Sequence, residues 1–139
     1  MTIRVLIIDG SATAPIMVTR LEGRHGIEVV ATARDSIQAR ELLRSLDVHV
    51  VALDVETEEI GGMDLLGKVM RLRPMPVIVV VDVEGAPAAV QALALGAIGH
   101  YAKFRDGDLG HDDGGRLAQL VREAARGAPR ARGGPSSIG

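Results

Sequence analysis

The chain has 139 residues, a length that fits one domain, and 47% of them are hydrophobic, enough to build a core. Its formal net charge is −2, which leaves no basic surplus for neutralising a phosphate backbone, so bulk nucleic-acid binding is not expected. Cysteine is absent, which excludes disulfides and thiolate metal sites. Aromatics make up only 1%, with Tyr101 and Phe104 the whole set, so the core must be aliphatic.

The N-terminal run Ile3–Ile8 is apolar but meets Asp9 at once, which is too short for a signal peptide. No stretch approaches the roughly 20 apolar residues of a membrane span. The expectation is a cytoplasmic domain with no membrane contact. Ile3–Ile8 reads as the first strand, and Ile27–Ala31, Val48–Leu53, Val77–Val81 and Ile98–Ala102 follow as four more. They are β-branched and mostly continuous, as strands covered on both faces are.

Helical spacing fills the intervals. Ala14, Met17, Val18 and Leu21 form the first stripe, and Ala39, Leu42, Leu43 and Leu46 the second. Leu65, Leu66, Val69 and Met70 mark a third helix, Val90, Leu93, Ala94 and Ala97 a fourth, and Leu117, Leu120, Val121 and Ala124 a fifth. Asp35 or Ser36 can cap the second helix. Five βα units predict an α/β, flavodoxin-like (βα)5 three-layer sandwich with parallel strand order 2-1-3-4-5. The domain spans 1–126. Residues 127–139 read Gly-Ala-Pro-Arg-Ala-Arg-Gly-Gly-Pro-Ser-Ser-Ile-Gly, the composition of a disordered linker or tail.

In such sheets ligands bind beyond the carboxyl ends of the strands. Asp9 ends strand 1, Asp54 ends strand 3 and Lys103 ends strand 5. One charged residue after a buried strand is an ordinary polar terminus. Three at one edge read as a site. Paired carboxylates favour a hard cation such as Mg²⁺, and a lysine beside them can hold a phosphoryl oxygen. Asp54 can then accept a phosphoryl group while the cation and the lysine offset the charge.

Arg4–Ala12, Val51–Glu56 in the string Val-Ala-Leu-Asp-Val-Glu, Met70–Val77 and Ala92–Ala97 leading to Tyr101-Ala102-Lys103 together resemble the receiver domain of response regulators. Within these, the chain is most similar to the N-terminal receiver of the chemotaxis protein-glutamate methylesterase. The resemblance covers roughly residues 3 to 125. It implies Asp54 as phosphoacceptor, Asp9 as a Mg²⁺ ligand together with Asp54, the backbone carbonyl of Glu56 facing the metal, and Lys103 contacting the phosphoryl group. It also implies a sensor histidine kinase or other signalling protein as partner, and a C-terminal output domain that this chain does not contain.

The chain departs from the family at several positions. Gly10 stands where a second acid is usual, and Val81 where a Ser or Thr hydroxyl meets the phosphoryl group. His100 takes the place of the switch aromatic, and Phe104 that of the proline after the lysine. Glu58 or Glu59 is the nearest substitute acid, although the spacing does not require either. These changes cluster at one edge and leave the core pattern intact, which predicts an atypical receiver whose Mg²⁺ binding is weak or absent. Phosphotransfer to Asp54 is correspondingly weakened or lost, and the domain acts through protein contacts. The alternative is a working phospho-receiver that regulates a methylesterase-type output domain. No G-x-S-x-G elbow is present, so the chain is not itself expected to be an enzyme.

Two other readings carry less weight. Asp9-Gly10-Ser11-Ala12-Thr13 half-matches the D-x-D-x-T loop of haloacid-dehalogenase phosphatases, but Ser11 replaces the general acid. A flavin or nucleotide carrier on the same fold would meet Asp9 at the phosphate position and almost no aromatics. His25, His49 and His111 lack metal-ligand spacing, and Asp112-Asp113-Gly114-Gly115 reads as a helix-capping loop.

Overall fold

The computed structural model describes residues 2–24, 26–56, 61–82, 86–103 and 115–136, with side chains as far as residue 127. The elements alternate: β1 Ile3–Ile8, α1 Ala14–Leu21, β2 Ile27–Ala33, α2 Ser36–Ser45, β3 Val50–Asp54, α3 Gly62–Leu72, β4 Val77–Val81, α4 Pro87–Ala94, β5 Gly99–Ala102 and α5 Arg116–Ser136. The parallel sheet has the expected order β2-β1-β3-β4-β5.

Every residue of β3 and β4 is buried, because helices cover both faces of the sheet. Alternate residues then feed two separate cores. Leu6, Ile8, Val51, Leu53, Val79 and Val81 pack on the α2–α3–α4 side. Val5, Ile7, Val50, Ala52, Ile78 and Val80 pack with Met17, Leu21, Leu117 and Val121 on the α1–α5 side.

Local chemistry sets the helix starts. The Asp35 carboxylate accepts from the Gln38 amide and caps α2. Gly61 precedes α3 at φ +60, a conformation other residues enter at a cost. A side chain at Gly62 would put its Cβ 2.5 Å from the Val55 Cα, so a missing side chain lets α3 lie against the end of β3.

α5 differs from expectation. Its helical bounds reach Ser136, so the boundary set at residue 127 falls inside a helix. The Ala- and Arg-rich run 124–132 consists mostly of strong helix formers, which the count of Gly and Pro obscured.

Candidate phosphorylation site

Strand register brings the predicted residues together. Ile8 pairs with Leu53, Asp54 with Val80 and Val81 with Ala102, so Asp9, Asp54, Asp82 and Lys103 emerge at one carboxyl edge. Backbone bonds from Asp9 N to Ala33 O and from Lys103 N to Val81 O, each 2.9 Å, fix the two outermost of these positions.

Asp9 is buried and its carboxylate is already engaged. Oδ1 accepts from the Ser11 amide at 2.8 Å and the Ser11 hydroxyl at 2.6 Å. Oδ2 accepts from the Thr13 hydroxyl at 3.3 Å. Ser11 Oγ and Thr13 Oγ1 are themselves 2.6 Å apart, which makes the β1–α1 loop a small hydroxyl network around the carboxylate.

Lys103 is the hub. Its Nζ donates to Asp54 Oδ2 at 2.9 Å and to Thr13 Oγ1 at 2.7 Å, and it lies 3.5 Å from Asp82 Oδ1. Burial works to lower the pKa of this ammonium. The hydrogen bond and charge of Asp54, joined by the charges of Asp9 and Asp82, outweigh burial and hold it above its ordinary value. Lys103 is therefore a fixed cation at neutral pH. The second Asp54 oxygen accepts from the Glu56 amide at 2.9 Å.

Gly10, Val81 and His100, which the sequence singles out, have clear surroundings. Gly10 lines an open cavity of about 690 Å³ beside Asp9, bounded also by Ser11, Thr32 and Arg34. Val81 is fully buried and presents only methyl groups. His100 is half-buried, on the opposite sheet face from its neighbour Tyr101. The Glu56 carboxylate accepts from the Asp82 amide. Phe104, Glu58, Glu59, His25, His111 and the run 112–114 lie outside the described residues. Among the described residues, no three His, Asp or Glu side chains converge as a ready metal cage.

Sequence reasoning missed Thr13, Asp82 and the pair Arg20–Tyr101. Asp82 follows β4 directly, so the rule that located Asp9, Asp54 and Lys103 finds it once it is applied to every strand. Thr13 had no such signal, because its hydroxyl reaches the site through the turn of the loop. Arg20 is buried in α1 and donates to the Tyr101 hydroxyl at 2.7 Å and to the Lys103 carbonyl at 3.1 Å.

The model of the response regulator receiver domain family matches residues 5–112. The chain belongs to that family. It is 38% identical over 136 residues to the protein-glutamate methylesterase/protein-glutamine glutaminase of Chromohalobacter salexigens. It is 40% identical over 131 residues to the protein of the same name from Salmonella typhimurium. These alignments cover 93% and 89% of this chain but only 38% and 37% of those proteins. The crystal structure of the response regulator domain of Thermotoga maritima CheB superposes with a TM-score of 0.75 at 27% identity, covering 91% of this chain and 98% of that one. A LuxR-family response regulator from Aurantimonas, at 22% identity and TM-score 0.77 over 91% and 87% of the two chains, shows the shared fold. The chain is thus a receiver domain similar to that of CheB, and the phosphatase and carrier readings are set aside. Among the described residues, no helix is long and apolar enough to cross a membrane.

Proposed function

We propose that this receiver takes part in a chemotaxis-type phosphorelay with phosphotransfer to Asp54 weakened, and that it works mainly through protein contacts. Its partners are a sensor histidine kinase or another signalling protein, with a methylesterase-type output domain as the element it would regulate. The observation that carries this reading is the set of groups at the strand ends. Val81 closes the end of β4 with methyls only, and Gly10 adds no second acid beside an Asp9 whose two oxygens already hold three donors.

Receiver domains hold Mg²⁺ at such an acidic edge, and the donor types here fit a hard dication. Asp9, Asp54 and the Glu56 carbonyl would hold it, and it would offset charge on the incoming phosphoryl group. Loading requires Asp9 to exchange hydroxyl and amide donors for the ion, which weakens binding. For transfer, an Asp54 oxygen forms the new bond to phosphorus while the donor's bond to phosphorus breaks. Lys103 moves its hydrogen bond from Asp54 to a phosphoryl oxygen. No hydroxyl at position 81 then draws the β4–α4 segment inward.

A fully working receiver remains the second reading, favoured by the intact 2.9 Å Lys103–Asp54 pair. Amide NMR with Mg²⁺, before and after adding beryllofluoride, separates the two. Weakened transfer predicts little change beyond Asp9 and Asp54. Shifts spreading through Lys103 to α4 would establish a working receiver instead.

A further inference from the structure

We infer that the groove between α2 and α3 is a docking site for an acidic, amphipathic helical segment of a partner protein. The groove encloses about 500 Å³ at the amino edge of the sheet, the end opposite Asp54, and so does not depend on the phosphorylation chemistry. Its apolar floor is Leu43, Val69 and Met75. Leu72 stands on the rim with 83% of its surface exposed.

Four cations surround that floor: Arg40 and Arg44 on α2, Lys68 on α3, and Arg73 just beyond it. Among the described residues, no acid lines the groove. Among the described residues, none of the four is ion-paired with a carboxylate. In a chain of net charge −2, this is a marked segregation of positive charge. Part of it has a local explanation, since Arg44 lies in the last turn of α2 and complements the helix dipole. Arg40 and Lys68 sit a turn earlier, where that effect has faded. Arg73 donates to the Leu43 carbonyl, which ties the α3 end to α2 and keeps the groove in shape.

Complementarity selects the occupant. Arg40 and Arg44 are one turn apart on one bank, and Lys68 and Leu72 on the other, the spacing at which helical neighbours align. A helix with apolar residues at i, i+3 and i+7, flanked by Glu or Asp, would place its apolar stripe on the floor and its carboxylates on both banks. A bilayer is a poorer match, because only Leu72 protrudes while Leu43 and Met75 are recessed. Single-stranded nucleic acid is also poorer, because among the described residues no aromatic lines the groove for stacking.

The test uses the whole chain, isotope-labelled, titrated with a synthetic helical peptide carrying a Leu stripe and Glu flanks. Phosphatidylglycerol vesicles and a single-stranded oligonucleotide serve as parallel probes. The expected result is amide shifts confined to the later halves of α2 and α3 and to Met75, weakening as salt rises. The variant Arg44→Glu/Lys68→Glu, at two exposed positions, should lose affinity by about tenfold or more while keeping the wild-type fold. Silence towards the peptide, or equal affinity in the charge-reversed variant, would overturn the proposal. So would groove-dependent binding of the vesicles or the oligonucleotide in place of the peptide.

Discussion

Arg20 and Tyr101, 81 positions apart in the chain, meet inside the protein with Nη1 donating to the phenolic oxygen at 2.7 Å. The same nitrogen reaches the Lys103 carbonyl at 3.1 Å, and the guanidinium lies 6.0 Å from the ring centroid. This contact braces the end of β5 against α1, and it therefore helps position the lysine that faces Asp54.

Tyr101→Phe removes the hydroxyl but keeps the ring. One buried donor of Arg20 then loses a partner, so stability should fall by about 1–3 kcal/mol. Urea unfolding followed by circular dichroism measures this. A change under about 0.5 kcal/mol would mean the brace is energetically idle.

The Lys103 ion pairs predict a definite pH response. The folded pKa lies above the ordinary one, so the stability they contribute is complete below the ordinary lysine range, about 10.4. It is lost as pH rises through the higher folded value. The stability gap between wild type and Lys103→Met should thus be flat through neutral pH and shrink in strong alkali. A gap that shrinks near neutrality would contradict the assignment.

Two substitutions at the strand ends test the proposal of weakened phosphotransfer. Gly10→Asp adds a carboxylate beside Asp9, so the apo protein should lose stability through like-charge repulsion and regain it with Mg²⁺. Its Mg²⁺ affinity should rise by about tenfold, read by titration calorimetry. Adding Val81→Thr should let beryllofluoride shift resonances in α4. If the double variant responds no better than wild type, these two positions are not what limits the site.

Gly62→Ala probes the seat of α3. The new methyl would sit 2.5 Å from the Val55 Cα and 3.2 Å from the Asp54 carbonyl, both backbone and hard to displace. A loss of about 1–3 kcal/mol is expected from such overpacking. Gly61→Ala, with open space but φ +60, should cost about 1–2 kcal/mol through backbone strain alone. Equal costs with an undisturbed Asp54 environment would argue against the close approach.

Much of this architecture was legible because buried parallel strands must be apolar along their whole length. Val77–Val81 and Ile3–Ile8 declare themselves for that reason. Asp9, Asp54 and Lys103 were legible because a charge that directly follows such a run can only sit at its end. What escaped depends on direction rather than position. Strand periodicity sends His100 and Tyr101 to opposite faces, so the tyrosine belongs to the α1 side and the histidine does not. No count of aromatics shows that. The Thr13 hydroxyl reaches Lys103 through the fold of a loop, which carries no periodic signal at all.

Tyr101 is also the sole tyrosine of a chain without tryptophan. Almost all absorbance and emission above the phenylalanine band therefore comes from one ring, two residues from Lys103. Most proteins average such signals over many chromophores. Here the near-ultraviolet spectrum is an address, and loosening of the β5 edge, by ligand or by heat, can be followed in unlabelled protein apart from the unfolding of the rest.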